Sequence, residues 1–245
     1  MSGLGLILTL GKSTEHVKTS LLNYSPKHLI ILTSEVFAST ARRQLSHWKK
    51  QYNLEGDVFV IDDLFTTNAA ENIMENTFLA IDFLRMKKFK PIFLGITGGT
   101  MHMAAAAASA ATIVDIPIFY VKQPDGEQVM QPNKDIIEMP SLSAFSQISS
   151  IPPPALQLFI SAFTEKEGSE KGTVHKSEAE SIGIPPGYLD LLTELRVLDK
   201  IEKSTYKVTY MGASIVRMVS ENPYISALID ARKEKEEQFD DHMFG

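Results

Sequence analysis

Two short stretches combine residue types suited to handling phosphate. One is Gly11-Lys12-Ser13, which closes the apolar run Leu4–Leu10. The other is Thr97-Gly98-Gly99-Thr100, which is followed by Met101-His102 and an alanine run, Ala104–Ala111. Glycines let a chain turn sharply and let a ligand approach the backbone. Lysine and hydroxyl side chains bind phosphate oxygens, and a helix starting behind such a turn favours anions. Gly11-Lys12-Ser13 has the ending of a nucleoside-triphosphate P-loop, but that motif needs a glycine where Leu6 stands. Gly5 is one residue out of register, and Leu6–Leu10 is too apolar to wrap phosphates with its backbone, so the P-loop is rejected. Two plain structural roles stand beside the anion-binding reading. Ser13 can simply cap a helix, and T-G-G-T can be a tight turn into a core helix of small residues.

These turns must be positioned by the elements around them. Through residue 121, short apolar runs alternate with longer helix-compatible stretches. Strands are expected at Leu4–Leu10, Leu29–Thr33, Val58–Ile61, Pro91–Ile96 and Ile116–Val121. Helices are expected near Glu15–Asn23, Ala38–Tyr52, Ala69–Met86 and Ala104–Ala111. The apolar face of the third helix runs through Met74, Phe78, Ile81 and Leu84. This alternation predicts a Rossmann-like, doubly wound α/β fold with a mainly parallel sheet. Ligands in such sheets sit beyond the carboxyl ends of the strands. That rule selects Gly11, Lys12 and Ser13; Thr33, Ser34 and Glu35; Asp62–Asn68, with Asn68 at its end; and Thr97–Met103.

Beyond Val121 the character changes. Gln123–Gln128 reads as a hairpin turn with Asp125-Gly126 at its tip. The prolyl stretch Ser149–Ala155 is the expected hinge, giving a ligand-binding domain over residues 1–150. A helix at Leu156–Glu165, a polar loop, helices at Ser177–Ile182 and Pro185–Arg196, two strands around Ser204-Thr205 and a helix at Ala213–Ser220 follow. That order is the one a winged helix-turn-helix has, here over residues 151–224, with a charged helical tail over 225–245.

Among the 245 residues, 44 % are hydrophobic, which is enough for a sizeable core. The net charge of −6 and pI near 5.6 argue against a protein that coats nucleic acid. The absence of cysteine excludes disulfides and cysteine metal sites. No apolar run reaches the roughly 18 residues of a membrane span. Leu4–Leu10 lacks the flanks of a signal peptide, so a soluble, cytoplasmic chain is expected.

A strand ending in L-G-x-S (Leu10–Ser13) and a later strand running into T-G-G-T with a small-residue helix resemble the CARF domain, the CRISPR-associated Rossmann-fold sensor. A C-terminal winged helix-turn-helix is a frequent companion of that domain. The resemblance implies binding of cyclic oligoadenylates, the second messengers of type III CRISPR systems in antiviral defence. The ligand would lie on the two-fold axis of a homodimer, with no cofactor and no metal. Gly11, Lys12, Ser13, Thr33, Ser34, Asn68, Thr97, Gly98, Gly99, Thr100, Met101 and His102 are the ligand-binding candidates. Where the family often has lysine after T-G-G-T, Met101-His102 stands here, so His102 is either a replacement donor or a surface residue. Arg42–His47 fits the R-x₄₋₆-H spacing of a HEPN ribonuclease, but it lies inside the sensor domain and is read as chance.

Three roles are open for the C-terminal part. Some CARF proteins with a winged helix are ring nucleases, which cut cyclic tetra-adenylate. The resemblance implies a metal-independent route in which a ribose 2′-hydroxyl attacks its adjacent phosphate. Ser13 would orient the reacting groups, and Lys171 or Lys176 would stabilise the transition state. Alternatively the chain is a ligand-gated transcription regulator, or a non-catalytic sensor that docks on a partner protein. Residues 151–245 carry 11 Lys and Arg against 16 Asp and Glu. The helix at Pro185–Arg196 adds Asp190 and Glu194 where phosphate would repel them. This charge balance favours ring cleavage over DNA control.

Overall fold

A computed structural model describes residues 3–62, 64–123, 131–151, 153–162, 173–223 and 227. The chain divides into two compact units, Met1–Met139 and Pro140–Gly245.

In the first unit, strands β1 (Gly5–Leu10), β2 (His28–Ser34), β3 (Glu55–Ile61), β4 (Ile92–Gly95) and β5 (Ile118–Val121) are parallel. They alternate with helices α1 (Glu15–Tyr24), α2 (Glu35–Tyr52), α3 (Ala69–Met86) and α4 (Met101–Ile113). After α5 (Pro132–Asp135), strand β6 (Ile136–Met139) pairs antiparallel with β5, closing the order β3-β2-β1-β4-β5-β6. This is the Rossmann-like, doubly wound fold expected from the alternation.

β1 is buried at every residue because neighbours flank it and helices cover both of its faces. Ile7, Ile30 and Leu32 pack with α3 and α4 residues such as Ile73, Ile81, Ala107 and Ala111. On the other face Leu6, Leu8, Leu29 and Ile31 pack with Val17, Leu21, Leu45 and Trp48 of α1 and α2. Two-sided burial explains why these strands read as continuous apolar runs rather than as alternating ones. Helices α1 and α2 end at Ser25 and Asn53, both in the left-handed region, whose N–H groups return to Leu21 and Lys49 carbonyls.

One detail differs from expectation. The buried stripe of α3 runs through Ile73, Thr77, Ala80, Ile81 and Leu84, leaving Met74 and Phe78 half-buried at its flank. That stripe faces the core, where Ile73, Ala80, Ile81 and Leu84 pack with Ile7, Ile30, Ala107 and Ala111. Asp125-Gly126 lies outside the described residues.

The second unit comprises α6 (Leu142–Ser149), α7 (Pro153–Ala162), β7 (Thr173–His175), α8 (Lys176–Ser181), α9 (Tyr188–Glu194), β8 (Leu198–Glu202), β9 (Thr205–Val208) and α10 (Tyr210–Glu221). Its three strands form an antiparallel sheet in the order β7-β9-β8. The division between units falls at Met139/Pro140, before the prolyl stretch at Ser149–Ala155. Helix α6 buries Ala144 and Ile148 in the same core as Ile151, Ala155 and Phe159. The charged tail over 225–245 lies outside the described residues except for position 227. Among the described residues, no helix is long and apolar enough to cross a membrane.

His28 opens β2 and is 1 % exposed. Its Nε2–H donates to Asp57 at 3.0 Å, and its ring lies among Phe83 and Phe89. Burial holds its pKa below the ordinary 6.5, and the Lys87 charge adds to that, against the opposing pull of Asp57 and Glu55. The unfolded chain therefore takes up this proton first, so the neutral ring's contribution is complete above pH 6.5 and shrinks as pH falls below it. The thermal unfolding midpoint should drop on acidification from pH 6.5 towards 5, and less steeply in His28→Phe. Identical slopes in the two proteins would refute this role.

Candidate ligand site at the strand switch point

The strand order reverses beside β1: the chain steps outward to β2 and β3, then crosses to β4 on the other side of β1. The crevice beyond the carboxyl ends of β1 and β4 is where doubly wound sheets bind ligands. Gly11-Lys12-Ser13 follows β1, and Thr97-Gly98-Gly99-Thr100 follows β4, so both phosphate-type turns meet at this point. The P-loop alternative fails structurally as well, since Leu6–Leu10 is an interior strand.

The two turns touch through backbone. A Cβ built on Gly11 would lie 3.0 Å from both N and Cα of Gly99. Gly98 is held tighter still, since a Cβ there would come within 2.2 Å of the Thr9 carbonyl oxygen and 2.7 Å of His16 Nε2. Gly99 has φ of +83°, a conformation side chains rarely adopt. Thr9 is fully buried and its hydroxyl donates to the Gly98 carbonyl at 2.7 Å. His16 Nε2–H donates to the Thr9 carbonyl at 3.3 Å. Burial lowers the His16 pKa, with the Thr9 hydrogen bond and Glu15 opposing, so this ring acts as a neutral brace.

Around this junction the candidates separate into two groups. Lys12 and Ser13 are exposed in the β1–α1 turn. The α1 cap is Thr14, not Ser13, so the capping role considered for Ser13 is not what the structure contains. Thr100 is the N-cap of α4, its Oγ1 accepting from Met103 N at 3.4 Å, and the first turn of α4 has no acidic residue. Gly99 and Met101 are exposed, and Asn68 is exposed at the start of α3.

Other hydroxyls are used internally. Thr33 is fully buried and donates to the Leu10 carbonyl at 2.9 Å. Thr97 is exposed beyond the end of β4, and its Oγ1 accepts from Val121 N at 2.6 Å, tying the β4 turn to β5. Ser34 is buried at the start of α2. His102 turns away from the glycines: its Nε2–H donates to the Leu64 carbonyl at 2.7 Å, and its ring meets Phe65 edge-on with centroids 5.5 Å apart. It therefore fastens the β3–α3 loop to the start of α4.

Sequence reasoning missed Thr9 and His16, and within the selected stretch Asp62–Asn68 it singled out Asn68 rather than Phe65. Thr9 and Gly98 are 89 residues apart, so nothing local in the sequence couples them. Arg42 and His47 are both exposed on α2 and are spaced by five, which sets them on different sides of a helix.

In the second unit, Lys176 opens α8 with Nζ 3.8 Å from Glu180, and Lys171 lies outside the described residues. Asp190 of α9 accepts from Lys200 at 2.7 Å and from Tyr206 at 3.1 Å, bonds that hold its carboxyl below its ordinary pKa. Tyr188 donates to the Gln147 carbonyl and Thr193 to that of Leu189. Most polar side chains of α9 are thus committed within the unit.

A methyl added at Gly98 has no room unless the β4–α4 turn moves off the Thr9 carbonyl of β1 and the His16 ring of α1. Gly98→Ala should destabilise the protein by about 1–3 kcal/mol or more and lower its thermal midpoint. An unchanged midpoint would mean that Gly98 does not lie against the Thr9 carbonyl.

No protein-family profile matches the chain, and no curated protein sequence does. Among solved structures it is similar to Csm6 from Enterococcus italicus, bound to cyclic hexa-2′-fluoro-hexa-dAMP. The identity is 13 %, covering 80 % of this chain and 54 % of that one, with a TM-score of 0.49. Can2 from Sulfobacillus thermosulfidooxidans, in complex with cyclic tetra-adenylate, matches at 14 % identity over 88 % of this chain and 63 % of its own, with a TM-score of 0.40. Protein VC1899 from Vibrio cholerae matches at 16 % identity over 95 % and 68 %, with a TM-score of 0.43.

Proposed function

We propose that the first unit binds a cyclic oligoadenylate, with cyclic tetra-adenylate the preferred ring, as a CARF-type sensor. The observation that carries this reading is the meeting of the L-G-x-S and T-G-G-T turns, backbone against backbone, at the strand switch point. Exposed Lys12 supplies a cation, and the start of α4 adds a helix N-terminus without an acid. A ring with repeated phosphates suits a homodimer, which presents each turn twice about a two-fold axis.

The proposal extends to cleavage. The ribose 2′-hydroxyl loses its proton to water as its oxygen attacks the adjacent phosphorus, the bond from phosphorus to the 5′-oxygen breaks, and the leaving oxygen takes up a proton. The products are a 2′,3′-cyclic phosphate and a 5′-hydroxyl. This chemistry rests on in-line positioning and on neutralising charge as it develops. Ser13 would orient the reacting ribose or phosphate, and Lys12 would hold the phosphate. Lys176 or Lys171 would serve the leaving oxygen, which for Lys176 means giving up its pairing with Glu180.

Labelled cyclic tetra-adenylate, incubated with the protein without added metal, should become linear. Ser13→Ala should slow this by roughly 10²-fold while retaining binding. Lys12→Ala should weaken binding about tenfold, the order of one charge-assisted contact. A ring left intact by stoichiometric protein would overturn the enzymatic reading. The helices and three-stranded sheet of the second unit favour one alternative, a winged-helix regulator of DNA. A ligand-dependent mobility shift on promoter DNA, with no cleavage, would select it. The internal commitments of Tyr188, Asp190, Thr193 and Lys200 weigh against it.

A further inference from the structure

The three most exposed large apolar side chains among the described residues are Met101 at 89 %, Phe65 at 82 % and Val36 at 79 %. Each follows the carboxyl end of a strand: Val36 after β2, Phe65 after β3 and Met101 after β4. Exposed apolar side chains gathered at one functional edge call for an occupant. Phe65 is the aromatic one, and it is mounted rather than loose. Its neighbour Leu64 is buried in the core, and the Leu64 carbonyl accepts from His102. The His102 ring presses edge-on against Phe65 and leaves most of the phenyl surface open. His102 also stands two residues beyond Thr100, so the turn that faces phosphate and the aromatic side chain share one support.

We infer that Phe65 is a stacking platform for an adenine of the bound ring, with His102 as the residue that positions it. This rests on the proposed cyclic oligoadenylate site and names the side chain that would read the bases. Stacking is sequence-tolerant but demands a π-face, which Phe65 presents and Val36 and Met101 do not. His102 is then no phosphate donor: its Nε2–H is spent on Leu64.

The test measures binding of cyclic tetra-adenylate to the full chain. Phe65→Ala should weaken binding about 5- to 150-fold, the range for loss of one base–aromatic stack. Phe65→Tyr should retain it, and the fluorescence of Phe65→Trp should be quenched by the ring. His102→Ala should weaken binding in the parent protein and have little effect in a Phe65→Ala background, because it acts through the phenyl ring. The Phe65 side chain is exposed, so the Phe65 variants should unfold at parental temperature. If Lys12→Ala loses affinity while Phe65→Ala does not, the platform is refuted and the binding site stands. If the unsubstituted protein does not bind the ring, the site and the platform both fall. If Phe65→Ala alters the oligomeric state by sedimentation, the side chain serves a second copy of the chain instead, which also overturns the inference.

Discussion

The first unit depends on one contact, the backbone approach of the β1–α1 turn to the β4–α4 turn. Gly11 and Gly99 meet so closely that a Cβ on Gly11 would press against the Gly99 backbone, and Gly98 lies against the Thr9 carbonyl. Because the contact is backbone to backbone, it sets the separation of two loops with little play. The Thr9 hydroxyl locks it from within the sheet, and His16 supports it from α1. The start of α4, its cap Thr100 and the β3–α3 loop held by His102 take their places from that junction.

The close backbone approach at Gly11 and Gly99 stands beside exposed Lys12 and Ser13 on one side and exposed Met101 on the other. The two helix starts there are unequal. Helix α1 begins with Glu15, which opposes an anion, whereas α4 has no acidic residue in its first turn. Lys12 on the β1 side complements α4 on the β4 side. The excess negative charge of the protein stands elsewhere, much of it in residues 151–245.

The second unit spends its polar groups on itself. Asp190 gathers Lys200 and Tyr206, joining α9 to the sheet, and Tyr188 joins α9 to α6. Removing Asp190 would leave Lys200 and Tyr206 without their shared acceptor. These bonds answer a puzzle in the sequence, the carboxylate at Asp190 on a helix that could otherwise read DNA. It is a structural acceptor within its own unit.

Much was legible in the sequence because it is local. Apolar runs bounded by turns marked the five parallel strands, and α3 has the limits its periodicity indicated, Ala69–Met86. The strand-end rule alone brought Gly11–Ser13 and Thr97–Thr100 into view as candidates. Short β6 and β7, of four and three residues, gave too few positions for periodicity to show. Only tertiary structure decided which strand ends are neighbours, since pairing joins residues as distant as Thr9 and Gly98. It also decided that the Thr33 hydroxyl is taken up inside the sheet, that Thr97 accepts from Val121, and that His102 faces Leu64. Residue type states what a side chain can bond; the folded chain determines which partner reaches it first.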